Sequence, residues 1–159
     1  MSAPAQLNAK ALDLIDRQST MALATARGDL AWAAPVYYVF HNKAFYFFSD
    51  PQSQHIREAL DSKQASAAIY PYADTWKGIK GIQMSGRIHP VGTGITAIKA
   101  LRAYIAKYAF TKEFFEPGQV LDMENFVKRF KVRLYRLEPD LIFYLDNQIK
   151  FGFREEIVL

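Results

Sequence analysis

The chain has 159 residues, no cysteine, and 20 basic against 16 acidic residues, a formal charge of +4. Disulfides, thiolate nucleophiles, Cys-ligated zinc, iron–sulfur clusters and c-type haem attachment are therefore excluded. The mild charge excess falls short of the concentrated basic face of a nucleic-acid binder. One domain over 1–159 is expected, because a chain of this length buries roughly 70% of its unfolded surface and needs no covalent staple. Phe, Tyr and Trp make up 14% of the residues, a bias that favours strands, cores and interfaces. No apolar run is long enough to span a bilayer. Residues 1–18 lack the basic start and continuous apolar stretch of a signal peptide, so a cytoplasmic location is expected.

In chain order, residues 4–18 predict a helix, with Leu7, Ala11, Leu14 and Ile15 at three- and four-residue steps and Pro4 near its start. The period then shortens. Strands are expected at 21–26, 29–41 and 44–49, with turns at Arg27–Gly28–Asp29 and His41–Asn42–Lys43. Pro35, midway along the second strand, implies an edge, a bulge or a break opposite a ligand. A helix over 49–60 is expected to take Asp50 as N-cap and Pro51 as first helical residue. Strands follow at 66–72 and 80–91, the latter alternating Ile82, Met84, Gly86 and Ile88 with Gln83, Ser85, Arg87 and His89, with a bulge expected at Gly86. Residues 94–110 predict an amphipathic helix, 111–120 irregular structure or short helix, 121–130 a helical turn or two, and 131–139, 140–146 and 148–157 strands. The strands are short, aromatic and mostly sequential. The expected fold is mainly β, a small antiparallel barrel with peripheral helices and a helical insertion around 94–130. So small a barrel leaves little room inside for a ligand, which points to a site on its outside, where two chains meet.

Three segments can carry chemistry. In SDPQSQHIR, 49–57, a strand ends as a helix begins, so free first-turn amides meet the hydroxyls of Ser49 and Ser53 and the positive charge of Arg57 and of protonated His55. That combination suits a phosphate; its structural competitor is ordinary helix capping by Asp50 and Ser53. In GIQMSGR, Gln83 offers amide donors and a carbonyl to a planar heterocycle, and Arg87 offers a bidentate fork to phosphate, unless both simply face solvent on a strand. In AAPVYYV, 33–39, small residues beside Pro35 and Val36 leave room for a flat ligand, and Tyr37, Tyr38 and Tyr46 can stack on it, although ordinary aromatic core is the commoner role. No metal site is expected from the three histidines, His41, His55 and His89.

Together these segments resemble the pyridoxamine 5'-phosphate oxidase-like flavoproteins, the FMN-binding split β-barrel superfamily. The resemblance runs through the A-x-P-V-x-Y strand, FYFFSDPQSQHIREAL, KGIQMSGRI and IFYLDNQIKFGF. The last of these is most similar to the small bacterial family UPF0306. The resemblance implies a homodimer with FMN in grooves at the subunit interface and a small-molecule redox substrate. It implies that Pro35, Val36 and Tyr37 lie along the isoalloxazine ring, with Tyr46 nearby, and that Ser49, Ser53, His55 and Arg57 hold the phosphate. Gln83 would reach the ring, and Arg87 or Lys80 would assist the phosphate. His55 stands where such proteins usually carry lysine, which weakens a pH-independent clamp. The basic set that a vitamin B6 oxidase needs for its substrate phosphate is not evident near the C-terminus, so a flavin reductase-like activity of unassigned substrate is expected instead. The alternative is a non-catalytic barrel binding haem or another ligand, with His41, His55 or His89 as axial nitrogen. A nucleic-acid or membrane partner is not expected.

Overall fold

The computed structural model describes residues 3–114 and 123–159. Helix α1 (Ala3–Arg17) buries Ala11, Leu14 and Ile15, the stripe that its periodicity predicts. Strands β1 (Thr20–Arg27) and β2 (Leu30–Tyr37) form a hairpin whose turn places Gly28 at φ +57, a backbone region that glycine enters without steric cost. Strands β3 (Val39–His41) and β4 (Ala44–Ser49) form a second hairpin through Asn42 and Lys43, both at positive φ. Helix α2 (Gln54–Ser62), β5 (Ala65–Ile69) and β6 (Lys80–Pro90) follow. Next come α3 (Ile95–Lys107), α4 (Met123–Phe130), β7 (Arg133–Asp146) and β8 (Arg154–Glu156).

All pairings are antiparallel, in the order β2-β1-β5-β6-β7-β4-β3, with β8 on β7. The two ends of that order, β2 and β3, are successive pieces of one segment separated only by Tyr38. The sheet therefore curls until 30–41 pairs β1 with its first part and β4 with its last, which is a split barrel. Pro35 is tolerated because the other side of β2 carries no ladder.

At the seam, the backbone of Tyr38 finds its partners outside the sheet. Its N–H donates to Ser19 O (3.3 Å) and to Tyr108 Oη (3.2 Å), and its carbonyl accepts from the Tyr108 hydroxyl. Tyr38 Oη donates to Ile15 O at 2.6 Å, which ties the seam to the end of α1. The far end of α3 thus closes the point where the strand changes partners.

Two apolar clusters hold the sheet. Inside the barrel, Met21, Leu23, Val36, Phe45, Phe47, Ile82, Met84 and Leu137 pack with Ile15 of α1 and Ile56 and Ala59 of α2. Outside it, Val39, Ala44, Tyr46 and Leu134 pack under Ala97, Ala100, Tyr104 and Tyr108 of α3 and its end. Strand β4 is consequently buried on both faces, which explains its unbroken apolar run. Gly86 sits at the register shift between Ser85 and Gly86, where an added Cβ would collide with the Glu138 carbonyl and come 2.7 Å from Pro139 Cα. The bulge expected at that glycine is present, and close strand approach is its cause.

Three boundaries differ in ways that bear on the site and the sheet. Helix α2 begins one turn late: Asp50 accepts from Gln52 N–H through Oδ1 at 2.7 Å, and its carbonyl accepts from Ser53 N–H at 3.0 Å. Asp50 and Pro51 thus build a turn ahead of the helix, and Ser53 is the N-cap residue. Residues 131–139 and 140–146 merge into the single strand β7, whose ladder to β6 absorbs Pro139 at the bulge. Of 148–157, only Arg154–Glu156 is strand; the preceding residues form a turn in which Asn147 Oδ1 accepts from Gly152 N–H at 3.0 Å. The expectation for 111–120 lies partly outside the described residues, with a short 3-10 segment at Ala109–Phe114. No described helix is long and apolar enough to cross a membrane.

Candidate functional site at the β4–α2 corner

Strand β4 ends at Ser49, and α2 starts after a four-residue turn. The corner gathers three polar side chains. His55 Nε2 lies 2.7 Å from Ser49 Oγ and 3.2 Å from Ser53 Oγ, and the two hydroxyls are 3.2 Å apart. The N-cap Ser53 makes no side-chain hydrogen bond to a backbone amide of the helix. The first-turn amides of Gln54, His55 and Ile56 precede the first intrahelical bond, from Arg57 N–H to Ser53 O at 3.1 Å. Free N–H groups, two rotatable hydroxyls and an imidazole therefore share one corner, the donor set that phosphate oxygens accept from.

Burial lowers the His55 pKa, and Glu58 only partly opposes that shift. The ring is thus neutral near pH 7, with both serine hydroxyls able to donate to Nε2. A bound dianion reverses the balance: it stabilises imidazolium, and the hydroxyls rotate to donate to the anion. The residues present fit a phosphate monoester, with an affinity coupled to protonation of His55.

The remaining predicted site residues are distributed unevenly. Pro35 pairs with Ala22, Ala22 with Ala68, and Ala68 with Gln83, so Pro35 and Gln83 end one row of small residues across the outer face of the barrel. Val36 points the other way and is core. Tyr37 is half-exposed, with its ring 5.4 Å from both Tyr108 and Phe110. Tyr46 is buried beneath α3, so the expectation that its ring faces a ligand is corrected: β4 has no solvent face there. Arg87 is exposed on β6 and has a carboxylate partner. It pairs with Asp140 at 3.3 Å and lies opposite Glu138, whereas Ser49 lies opposite Arg133. Five residues of β7 separate the two places, about 17 Å of strand. Lys80, opposite Asp146, is farther along the same strand.

Arg57 is exposed and turns toward a neighbouring groove lined also by Arg27, Leu30, Gln54 and Glu58. Arg27 escaped the sequence reading because Arg27–Gly28–Asp29 reads as a turn and nothing more. Glu58 escaped it because a helical glutamate normally faces solvent. Here its carboxylate accepts from Thr25 Oγ1 at 2.7 Å and from Gln54 Nε2 at 2.8 Å, and these bonds hold its pKa below the ordinary glutamate value.

The family model described as pyridoxamine 5'-phosphate oxidase matches residues 7–139. No curated protein sequence matches the chain. Among solved structures, a heme-binding protein from Mycobacterium smegmatis is 16% identical with a TM-score of 0.71, over 99% of this chain and 59% of that one. The heme storage protein HutZ from Vibrio cholerae is 14% identical with a TM-score of 0.65, over 84% and 90%. A FAD-binding protein from Mesorhizobium loti is 17% identical with a TM-score of 0.60, over 89% and 92%. At these identities the likeness is one of fold, and the fold carries more than one kind of ligand.

Proposed function

Because the chain belongs to the pyridoxamine 5'-phosphate oxidase family, we propose that it is an FMN-binding flavoprotein, a cytoplasmic homodimer that exchanges electrons with a small-molecule substrate in the manner of a flavin reductase. The observation that carries this reading is the uncapped start of α2, with Ser49, Ser53 and His55 within 3.2 Å of one another. In this reading those three residues and the first-turn amides hold the flavin phosphate. The small-residue row from Pro35 to Gln83 offers a flat bed for the ring, with the Gln83 amide as hydrogen-bonding partner. Bound flavin would supply one- or two-electron chemistry, while the chain supplies binding, orientation and electrostatics. The dimer reading draws on that row of small residues, which a second copy would cover. Kinship with UPF0306 is supported by IFYLDNQIKFGF at 142–153.

Haem is the less favoured ligand, because two of the three histidines, His55 and His89, already have polar partners. His55 is bound to the serines, His89 Nε2 lies 3.4 Å from Glu138, and His41 lies 6.3 Å from the Tyr46 ring centroid. The test is titration of the purified chain with FMN and, separately, with haem, together with light scattering. One FMN per chain in a dimer is expected, with affinity falling about tenfold or more in Ser53→Ala, a loss of about 1.4 kcal/mol. A folded chain that binds no flavin, or that shows a haem Soret band at stoichiometry, overturns the proposal.

A further inference from the structure

The groove beside the corner lies between α2 and the β1–β2 hairpin, with a volume of about 630 Å3. Its walls are the side chains of Leu30 and Leu60, exposed to 73% and 40%. Two guanidiniums, Arg27 and Arg57, line it, and among the described residues neither forms an ion pair within 4.0 Å. The carboxylate of Glu58 closes the floor. It accepts from Thr25 and Gln54, and Arg27 and Arg57 face it electrostatically without closing an ion pair, so the groove sets two cations around one buried anion. Asp61 stands at the solvent edge.

The groove and the corner are continuous. Gln54 lines the groove and is the residue between Ser53 and His55. Arg57 N–H bonds to Ser53 O, so Arg57 stands one helical turn, about 6 Å, beyond the Ser53 position. The two phosphorus atoms of a diphosphate are closer together than that step, so the long Arg57 side chain, not its backbone position, has to span the distance to a second phosphate. Guanidiniums suit phosphate oxygens because their fork donates in pairs. Apolar walls beyond them suit a nucleobase, and the volume falls within the range of small-molecule pockets.

We propose that this groove receives the second phosphate and the nucleoside of a dinucleotide flavin, so that the site accepts FAD and holds it more tightly than FMN. Arg27 and Arg57 bind the distal phosphate, and Leu30 and Leu60 flank the base. This inference rests on the flavin reading of the β4–α2 corner.

The experiment is equilibrium binding of FMN and of FAD to the full chain by flavin-fluorescence quenching at low salt, in the wild type, Arg27→Gln and Leu30→Asp. Both substitutions lie at the exposed hairpin end, and a thermal melt checks that each variant folds. FAD is expected to bind at least tenfold more tightly than FMN. Each variant is expected to remove that advantage and leave FMN affinity unchanged. Equal affinities in the wild type, or an advantage that survives both variants, overturns the inference and leaves the FMN reading standing. If neither flavin binds, the flavin reading fails, and with it the assignment of the groove to a flavin. Titration with ADP alone then shows whether the groove is a nucleotide diphosphate site that depends on Arg27.

Discussion

Two polar clusters in this molecule are built from similar materials and behave differently. At the seam, Tyr38, Tyr108 and Lys107 are tied to backbone carbonyls: Tyr108 Oη shares its one proton between Ser19 O, at 2.7 Å, and Tyr38 O, and Lys107 Nζ donates to Ile15 O at 3.2 Å. At the β4–α2 corner, Ser49, Ser53 and His55 bond mainly to one another, beside helix amides that no side chain caps. The seam uses its donors to complete a backbone that the sheet leaves unpaired. The corner keeps its donors in a loose triangle that an anion can open. Density of polar groups does not distinguish structure from site here; whether their partners are fixed backbone atoms or one another does.

Tyr108→Phe makes the sharpest test of that contrast. It keeps the ring and removes the hydroxyl that serves the buried Tyr38 backbone. A buried group left without its partner costs about 1–3 kcal/mol, so a loss of about 3 kcal/mol in unfolding free energy is expected, read as a lower urea midpoint at unchanged slope. Flavin affinity of the folded variant should match the wild type. A variant as stable as the wild type would mean that the seam closes without Tyr108.

A smaller effect, on binding alone, is expected at the corner. With the free His55 pKa already below 6.5, flavin binding takes up a proton in the window between the free and the bound pKa. Affinity should therefore strengthen as pH falls from about 8 through that window and level off below the free-state pKa. His55→Lys places a permanent cation at the same position. Its flavin affinity should rise about tenfold at pH 8, equal to about 1.4 kcal/mol, and the pH dependence should flatten. A wild-type profile that is flat, or that a lysine leaves unchanged, would remove His55 from the phosphate site.

The sequence was readable where a single constraint governs each residue. Period two along 80–88 predicted β6, and Gly86 marked its bulge because only a residue without Cβ fits against Glu138. The meeting of Ser49, Ser53 and His55 was visible because a strand end and a helix start lie only a few residues apart. What was hidden depends on distant chain. Arg27 reaches the groove because β1 packs against α2, and nothing local in a Gly-Asp turn signals it. Tyr46 was offered as a ring that could stack on a ligand, yet α3, some fifty residues later, covers it. Arg87 shares a motif with Gln83, but the bulge and the pairing with β7 carry it to Asp140. Asp50 satisfied the rule for an N-cap and was used one turn earlier, a choice that local hydrogen bonds decide and composition does not.

The seam should also set the alkaline limit of stability, by the smallest of these effects. Burial lowers the Lys107 pKa to about 8, against a weaker pull from Asp16, while its ammonium sits 4.2 Å from the Tyr38 ring centroid. An unfolded lysine keeps its proton to about pH 10.4. Above about pH 8 the unfolded chain therefore binds more protons than the native one, and stability rises with pH. Burial moves Tyr38 and Tyr108 the opposite way, above the ordinary phenol range. Their unfolded forms ionise near about pH 10, so stability is lost as pH climbs past that point. The two signs together place a shallow maximum between about pH 8 and about pH 10, with a rise under ~1 kcal/mol because Lys107 is half-exposed and screened. Lys107→Met retains the stem over Tyr38 and deletes the titrating amine. Chemical denaturation across this range should show the rise gone and the fall above about pH 10 intact. If the variant keeps the rise, the seam's alkaline response originates in groups other than the amine, and the fixed-partner account of this cluster loses its lysine.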